Sequence, residues 1–495
     1  MRVLLTAPSP LFSQLNQRAP TSALYALAAV VRSAGHDVEL VDHPDVDARL
    51  EECGNELLPP IRASHFLARH EVRMLDEAVA SRLEFPGVSA AAQRSDCVGV
   101  SANSLNWLYA RRMIHEIRRI SPHATIVVGG PHPTFCPDEV LRRSAADIAV
   151  RGEGEVTFPV LLDALSTHKP LSDVSGISFK LNGEVVHNPD RPVLSSDELE
   201  AVPLPAWDLL APGRFEVIGL EASRGCPFQC RFCSIPHRGS WRGLSAPEVL
   251  RRVAFAKQHL DRLRPNGSGR REILFVDDNF TTDARRCAEI LEALPSTGGR
   301  ECEFSLEGRA ADVARHPELV RSLARVPLHR FLCGIESGSD RGLRAIRKAL
   351  TVAQVDRCSG FLADAGLGDR VRYSFILGMP WDTKADCFDT VDFMFRTATR
   401  FGITCQGSWY GIFPGSEIWT SRSEYGIDLD ATVFETHFAR SREIFLHVTN
   451  RLSPQDVRDV VARHRANILL ATFAREAGTI VDILDLEGEP QELVA

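Results

Sequence analysis

The chain has 495 residues, of which 44% are hydrophobic and 25% are charged, and its 57 basic and 65 acidic residues give a formal net charge of −8. This length predicts two or three domains, because one hydrophobic core rarely extends over so many residues. The weakly acidic balance and the lack of a basic tract give no reason to expect nucleic acid as a partner.

Strands and helices alternate through residues 1–170, and this spacing predicts a parallel, doubly wound, Rossmann-like α/β domain. The predicted strands are Arg2–Thr6, Asp37–Val41, Cys97–Ser101, Thr125–Val128 and Ile148–Val150. Predicted helices lie between them at Ser22–Ala34, at Leu108–Ile120 and from about 155 to 165. Residues 43–95 interrupt the alternation and contain a helical patch at Phe66–Leu83. We therefore expect a ligand at the carboxyl ends of these strands.

Glycines and small polar residues stand at those strand ends and would let a large ligand approach the backbone. The candidate cofactor-binding residues are Ser101, Asn103, Ser104, Gly129, Gly130, His132, Gly152, Glu153 and Gly154. No G-x-G-x-x-G fingerprint follows the first strand, so NAD is disfavoured. His132 on its own is more often a turn residue than a ligand. A Rossmann-like domain for some other ligand remains an alternative.

Residues 171–210 are predicted to be a linker that contains a hairpin. Asn182-Gly183, between Val174–Lys180 and Glu184–His187, is a strong two-residue turn signal. Several prolines from 203 onward suit a stiff boundary before the next domain.

Three cysteines, Cys226, Cys230 and Cys233, follow the strand-like run Val217–Ala222 at the spacing C-x3-C-x2-C. Thiolates suit zinc, copper(I) or iron–sulfur clusters, and three of them leave one iron of a four-iron cubane without a protein ligand. Structural zinc usually takes paired C-x2-C units or added histidines. His237 is near, but no second pair follows. The spacing therefore favours an iron–sulfur cluster.

With Phe232 just before the last cysteine, this loop resembles that of the radical S-adenosylmethionine (SAM) enzymes. The resemblance implies that the three cysteines hold a [4Fe-4S] cluster whose open iron binds SAM beside Phe232. It further implies that reduction of the cluster, by an electron donor such as flavodoxin or ferredoxin, cleaves SAM to a 5′-deoxyadenosyl radical.

A second alternation predicts a partial (β/α)6 barrel over residues 211–415, with its functional groups at the carboxyl ends of the strands. Its predicted strands are Val217–Ala222, Ile273–Val276, Glu303–Leu306, Phe331–Ile335, Arg372–Leu377 and Cys405–Tyr410. Predicted helices fall between them at Ala246–Leu260, Ala284–Leu294, Pro317–Leu323 and Lys384–Arg396. Residues 416–495, with helical periodicity at Pro454–Glu476, are predicted to form a mostly helical cap.

Polar residues follow the second and third of these strands. Asp277, Asp278 and Asn279 stand where the resembling family contacts the methionine end of SAM, with a magnesium site or a helix N-cap as alternatives. Arg309 is a candidate for pairing with the carboxylate of SAM, and an exposed salt bridge is the alternative.

The last three strands also end in candidate site residues. Glu336 lies in a GIESG run like that of cobalamin-dependent family members, and it needs a partner if buried, such as the ribose or ammonium of SAM. Gly378 would admit the adenine, although Trp381 stands in a place where the family usually has glycine. Tyr410 is a candidate substrate contact, with core packing as the default.

The turns Gly129-Gly130-Pro131-His132 and Arg151–Glu155 resemble those of the cobalamin-binding domain found in cobalamin-dependent radical SAM enzymes. The D-x-H-x-x-G motif of other cobalamin proteins is missing, so the resemblance implies cobalamin bound base-off without a histidine ligand. It also implies a class B methyltransferase, which moves methyl from methylcobalamin to a substrate carbon radical generated by the 5′-deoxyadenosyl radical. The substrate, a small molecule or a peptide, is not identified by the sequence.

Three alternatives stay open. One is a cobalamin-dependent radical SAM cyclase or rearrangement enzyme without methyl transfer. Another is a methylthiotransferase, with Cys53, Cys97 and Cys136 on a second cluster, although these lack that family's local setting. The third is a non-catalytic protein that stores cobalamin or transfers electrons.

The sequence also predicts where the protein is found. No apolar run is long enough to span a bilayer, and the start MRVLLTAPSP lacks the order of a secretory signal. The twelve cysteines are mostly scattered, which suits a reducing compartment better than a disulfide framework. We therefore expect a cytoplasmic protein without a membrane span.

Overall fold

The computed structural model of the chain describes residues 1–8, 19–42, 85–263, 271–298, 302–435, 448, 451–472 and 480–481. The fold divides into two compact units. The first comprises residues 1–219, 258–269 and 430–439, and the second comprises residues 220–257, 270–429 and 440–495. The predicted helical patch at Phe66–Leu83 lies outside the described residues.

The first unit is built on one sheet. Its described strands are β1 (Arg2–Ala7), β2 (Asp37–Asp42), β3 (Cys97–Ser101), β4 (Thr125–Gly129), β5 (Ile148–Val150), β6 (Ile177–Leu181) and β7 (Glu184–His187). They are ordered β2-β1-β3-β4-β5-β6-β7, with parallel pairing from β2 to β5 and antiparallel pairing from β5 to β7. The central strands are almost fully buried, as expected of a parallel sheet covered on both faces.

Amphipathic helices cover this sheet. They are α1 (Ser22–Ser33), α2 (Pro86–Ala92), α3 (Trp107–Ile120), α4 (Pro131–Phe135), α5 (Pro137–Arg143), α6 (Gly154–Ser166) and α7 (Ser196–Ala201). In α3 the buried residues Ala110, Met113, Ile114 and Ile117 recur at three- and four-residue spacing, which places one apolar stripe toward the core. The predicted Rossmann-like alternation is therefore present.

Residues 171–210 belong to the first unit and do not form the predicted linker. The hairpin of β6 and β7 extends the sheet, because Ile177 and Phe179 are buried beside β5. Further along, the ring of Trp207 packs on that of Tyr25 at a centroid distance of 4.7 Å. The apolar side chains of this segment thus bind it to the domain core.

A second sheet, most of which lies in the second unit, carries the predicted barrel. Its described strands are β8 (Val217–Leu220), β11 (Arg271–Phe275), β12 (Cys302–Gly308), β13 (Leu328–Glu336), β14 (Val371–Leu377), β15 (Thr404–Trp409) and β16 (Ile480–Val481). They lie side by side in the order β16-β15-β14-β13-β12-β11-β8, and the pairs from β11 to β16 are parallel. The short ribbon of β9 (Ser223–Arg224) and β10 (Arg242–Gly243) is separate and antiparallel. Six neighbouring strands of this sheet, β8 and β11 to β15, match the predicted partial barrel.

Helices connect these strands. They are α8 (Ala246–Leu263), α9 (Ala284–Gly298), α10 (Ala310–Arg315), α11 (Glu318–Arg325), α12 (Asp340–Ala345), α13 (Val352–Asp364), α14 (Lys384–Phe401), α15 (Glu417–Thr420) and α16 (Pro454–Thr472). Capping boxes begin α13 at Thr351 and α14 at Thr383, and Gly402 ends α14 in the left-handed region at φ 68°.

Of residues 416–495, predicted to form a mostly helical cap, the described part includes the helices α15 and α16 and the short strand β16. In α16, Val457, Val460 and Val461 form a buried cluster with Val391 of α14. Residues 430–439 belong to the first unit, and β16 extends the sheet of the second. The apolar face of α16 therefore packs against α14. Within the described ranges no helix is long and apolar enough to cross a bilayer.

Candidate functional site

The loop that carries the three cysteines is closed at its base by β9 and β10. Gly225 begins it at φ 82°, and a side chain there would collide with the carbonyl oxygen of Ser240, so glycine is required. Inside the loop, the N–H of Gly239 donates to the carbonyl of Cys226 at 2.7 Å. The guanidinium of Arg238 donates to the carbonyls of Cys230 and Cys233 at 3.3 and 3.0 Å. Backbone hydrogen bonds and the Arg238 side chain thus hold the loop in shape.

All three loop cysteines are free thiols. Cys230 is buried, Cys226 and Cys233 are half-buried, and burial raises the pKa of Cys226 and raises that of Cys233 to about 11. Ligand binding must therefore release protons from these thiols. Among the described residues, no three His, Cys, Asp or Glu side chains converge as ligands of one metal ion. In a cubane each thiolate binds a separate iron, so the three thiols of this loop fit a [4Fe-4S] cluster with one open iron.

Arg309 lies against this loop. Its guanidinium stacks on the ring of Phe228, with Cζ 3.3 Å from the ring centroid, and its Nη2 donates to the carbonyl of Lys348. Arg309 is buried, and burial lowers its pKa, although the nearby acidic groups oppose this. Its Nη1 has no hydrogen-bond partner in the part of the chain that the structure describes. A buried donor without an acceptor fits a site for an anionic group such as a carboxylate.

In the Asp277-Asp278-Asn279 run, the first and third side chains are buried and the middle one is exposed. Asp277 is buried and accepts from the N–H of Ala222 at 3.1 Å and from the hydroxyl of Ser223, and burial raises its pKa to about 7. Asn279 is also buried and accepts from the hydroxyl of Thr281 at 3.0 Å. Only Asp278 is exposed, where it accepts from the N–H of Gly225 at 3.0 Å. Asp277 and Asn279 therefore support the site, and Asp278 is the member open to a ligand.

Glu336 has a partner that the sequence did not identify. Its Oε1 accepts from Nζ of Lys348 at 2.9 Å, and both side chains are about nine-tenths buried, at 9% and 10% exposed. Lys348 is one of only five lysines in a chain rich in arginine, which is the one sequence signal that marks it. Its Nζ also lies 5.8 Å from the centroid of the Phe232 ring in the cysteine loop. Glu336 is therefore part of a buried ion pair beside that loop.

The remaining predicted residues of the second unit differ in their accessibility. Gly378 adopts φ 75°, which suits the glycine-only approach predicted for it. The carboxylate of Asp382 accepts from the N–H of Met379 at 3.0 Å and fixes the turn that follows Gly378. Tyr410 is buried in the core at 3% exposed. Its burial favours core packing over contact with a substrate.

In the first unit, the turn after β4 packs closely on the chain after β3. Gly130 has φ 105°, and a Cβ there would lie 2.5 Å from the carbonyl oxygen of Ala102. The hydroxyl of Thr134 donates to the Gly130 carbonyl at 2.8 Å and accepts from the N–H of Gly152 at 3.0 Å. The predicted glycines after β4 and β5 are therefore joined, and an added Cβ at Gly152 would meet open space. This glycine cradle suits close approach of a large ligand.

His132 is buried beneath this turn. Its imidazole stacks on Trp107 at a centroid distance of 5.0 Å, lies edge-on to Phe434, and has Nδ1 3.0 Å from the hydroxyl of Ser104. Burial lowers the pKa of His132 to about 3, so the ring is neutral at physiological pH. Its Nε2 has no partner among the described residues.

The other predicted residues near this turn serve the protein backbone. Oδ1 of Asn103 accepts from the N–H groups of Leu105 and Asn106, and the carboxylate of Glu153 accepts from the N–H of Leu194 at 2.5 Å. Gly154 begins α6 where a Cβ would approach the side chain of Leu27 at 3.1 Å. Ser101 and Gly129 are the paired last residues of β3 and β4. The sequence placed all of them correctly at strand ends but could not tell ligand contacts from local hydrogen bonds.

Two family models match the chain. Residues 62–162 match the B12 binding domain, and residues 220–394 match the radical SAM superfamily. The first match includes the strands β3, β4 and β5, and the second includes the cysteine loop and the strands β11 to β14. The chain is therefore a cobalamin-dependent radical SAM enzyme, and the predicted fold class and pair of cofactor domains are confirmed.

Several known proteins are similar to this chain over most of its length. The chain is 28% identical over 398 residues to an uncharacterized methyltransferase of Pyrococcus horikoshii, a match that covers 78% of this chain and 82% of the relative. It is 26% identical over 323 residues to the anaerobic magnesium-protoporphyrin IX monomethyl ester cyclase of Synechocystis, covering 62% of each chain. The solved structure of the cobalamin-dependent SAM radical enzyme OxsB has a TM-score of 0.60 at 21% identity. That match covers 86% of this chain and 56% of OxsB, so it bears on the fold alone.

Proposed function

We propose that this chain is a methyltransferase that transfers a methyl group from cobalamin to a carbon atom of its substrate. The observation that carries the proposal is the preorganised loop of three free cysteines next to Arg309, whose Nη1 has no hydrogen-bond partner among the described residues, in a chain that also has a B12-binding domain. The methyltransferase of Pyrococcus horikoshii, matched over most of its length, supports methyl transfer as the outcome.

The residues present fit both a [4Fe-4S] cluster with SAM and a cobalamin. Cys226, Cys230 and Cys233 would hold the [4Fe-4S] cluster, and Arg309 and Asp278 would bind the carboxylate and ammonium groups of SAM, because their charges are complementary. The glycine turns at Gly130 and Gly152 would receive cobalamin. When bound, the cluster supplies the electron that cleaves SAM, and cobalamin supplies the methyl group.

Within this proposal the chain's own residues bind and orient SAM. The stacking of Arg309 on Phe228 fixes the guanidinium before any ligand arrives, which reduces the entropy lost on binding. Asp277 keeps its neighbour Asp278 at the site edge through its bonds to Ala222 and Ser223. We further propose a small-molecule substrate, a cytoplasmic location and a flavodoxin- or ferredoxin-like electron donor.

A cyclase without methyl transfer is the second candidate, and the relative from Synechocystis favours it. A methylthiotransferase is less well supported, because Cys97 is fully buried within β3 and burial raises its pKa to about 12. Cys136 is buried as well, and Cys53 lies outside the described residues. A second cluster on these cysteines would require a core strand to open.

The test is anaerobic reconstitution with iron, sulfide and hydroxocobalamin, followed by desalting and metal analysis. We expect about four irons and one cobalt per chain, because one cubane has four irons. Cys230→Ala should abolish SAM cleavage and retain cobalt, whereas the control Cys136→Ala should change neither. Retained cleavage in Cys230→Ala would contradict the cluster assignment, and four irons without cobalt would contradict methyl transfer. About eight irons would instead favour a methylthiotransferase.

A further inference from the structure

The ion pair of Glu336 and Lys348 is built by an unusual backbone conformation. Glu336 is not glycine, yet it adopts φ 76° at an irregularity in the pairing of β13 with β14. A Cβ at Gly334 would collide with Oε1 of Glu336 and lie 3.0 Å from Nζ of Lys348. A glycine two residues earlier is therefore needed for the carboxylate to turn toward the lysine. Strained conformations of this kind persist where the surrounding structure holds them, often at functional sites.

The segment that carries Lys348 is bound to the cysteine loop through successive carbonyl groups. The carbonyl of Ile346 accepts from the N–H of Arg231 at 3.1 Å, and the carbonyl of Arg347 lies 3.8 Å from Sγ of Cys230 as acceptor. The carbonyl of Lys348 accepts from Arg309. The ammonium group of Lys348 thus belongs to a segment that directly contacts a predicted cluster ligand.

The charges of this pair nearly cancel while both partners are present. Hydrogen bonds and net charge around an iron–sulfur cluster set its reduction potential, and burial strengthens the effect because little water screens it. A reduced cluster carries one more negative charge than an oxidised one. A nearby cation therefore stabilises the reduced form, and a nearby carboxylate stabilises the oxidised form.

We propose that Glu336 and Lys348 form a positioning pair that sets the reduction potential of the cluster held by Cys226, Cys230 and Cys233. Lys348 acts on the cluster through the contacts of its own segment with the cysteine loop and through its position over Phe232. Glu336 limits the effect of Lys348 on the potential, because the carboxylate offsets the charge of the ammonium group. This inference rests on the proposed function, because it requires a redox-active cluster in the loop.

The test is a reductive titration of the reconstituted full-length protein with dithionite, which donates one electron to each cluster, followed by electron paramagnetic resonance. Glu336→Gln, which leaves the lysine uncompensated, should shift the midpoint potential upward. Lys348→Gln, which leaves the carboxylate uncompensated, should shift it downward from the wild-type value, and the double variant should return it toward that value. The matched control is Lys384→Gln, which removes another lysine paired with a carboxylate, that of Asp459 at 2.6 Å, and it should cause no shift.

The outcomes separate this inference from the proposed function. If the wild-type protein takes up no cluster, the proposed function fails. If the cluster forms but Glu336→Gln and Lys348→Gln shift its potential in the same direction, or not at all, the charge pair has no such role. Lys348→Arg covers the case in which Lys348→Gln takes up no cluster. This variant keeps the charge and should keep the wild-type potential, and a downward shift like that expected of the Gln variant would overturn the inference.

Discussion

The guanidinium of Arg231 lies over the indole ring of Trp381, with Cζ 5.4 Å from the ring centroid. The ring of Tyr425 lies at 5.9 Å, and the carboxylate of Glu417 accepts from Nε of Arg231 at 2.8 Å. Arg231 stands between Cys230 and Phe232 in the cysteine loop. The tryptophan that replaces the expected glycine therefore attaches this loop to the turn after β14, and Glu417 and Tyr425 attach it to the segment after β15.

Replacement of Trp381 by glycine should weaken this attachment. A cation–π contact contributes about 0.5–2 kcal/mol, so we expect iron to leave the reconstituted loop about 2- to 30-fold faster. The measurement is the rate of iron transfer to a chelator under anaerobic conditions. Trp381→Phe keeps an aromatic face and should retain most of the effect.

Phe388→Leu is the matched control, because it removes a different cation–π contact, with Arg463 at 5.7 Å in the contact of α14 with α16. It should leave the rate of iron loss unchanged. Equal rates in Trp381→Gly and the wild-type protein would show that the Arg231 contact does not stabilise the loop.

A methyl group at Gly130 should impair cobalamin binding. The alanine Cβ would lie 2.5 Å from the Ala102 carbonyl, and the chain after β3 would have to move. We expect Gly130→Ala to reduce hydroxocobalamin binding by at least about tenfold, which is 1.4 kcal/mol, while iron uptake by the other unit is retained. Equilibrium dialysis measures the first and metal analysis the second.

Gly35→Ala is the control for backbone strain. Gly35 has a similar positive φ of 81°, but its added Cβ would meet nothing within 4 Å. Both variants therefore place a side chain on a backbone with positive φ, a strain of about 1–3 kcal/mol, and only Gly130→Ala adds the collision. Equal cobalamin binding by the two variants would place the cofactor away from this turn.

Asp277 and Asp278 should respond differently to substitution. Asp278→Asn removes a charge from the open edge of the site, and we expect SAM binding to weaken by about tenfold or more, the size of one hydrogen bond to a charged group. Asp277→Ala leaves the N–H of Ala222 and the hydroxyl of Ser223 without their acceptor and should cost about 1–3 kcal/mol of stability. Isothermal titration with SAM and denaturant unfolding measure the two effects. The opposite pattern would reverse the assigned roles.

The strand ends of both sheets follow from the sequence, because buried parallel strands are continuous apolar runs bounded by glycine and polar residues. Ile148–Val150 coincides with β5, and the other predicted strands overlap the observed ones closely. The three cysteines were found because their spacing is local. Residues 171–210 were misassigned because a hairpin motif does not state which sheet it will join.

Partners that are distant along the chain could not be predicted. Lys348 follows Glu336 by twelve residues and reaches it through a turn in which Arg347 and Ala349 both have positive φ, a conformation that carries no periodic signal. Arg231 meets Glu417 across 186 residues. The sequence indicated that a buried Glu336 needs a partner, and only the fold identifies which one.

His132 should make the first unit sensitive to acid. Burial lowers the pKa of His132 from 6.5 to about 3. Below about pH 6.5 this imidazole is therefore protonated in the unfolded chain but stays neutral in the folded protein. The stabilisation is therefore complete above pH 6.5 and is lost as the pH falls toward 3, by at most about 1.4 kcal/mol per pH unit. His132→Phe keeps the stacking on Trp107 and should flatten this decline, whereas His123→Gln, at an exposed position, should not. Urea unfolding followed by near-ultraviolet circular dichroism, at about pH 7 and about pH 5, measures the difference. Identical pH dependence in His132→Phe and the wild-type protein would mean that this imidazole is protonated in the folded state or does not control its acid stability.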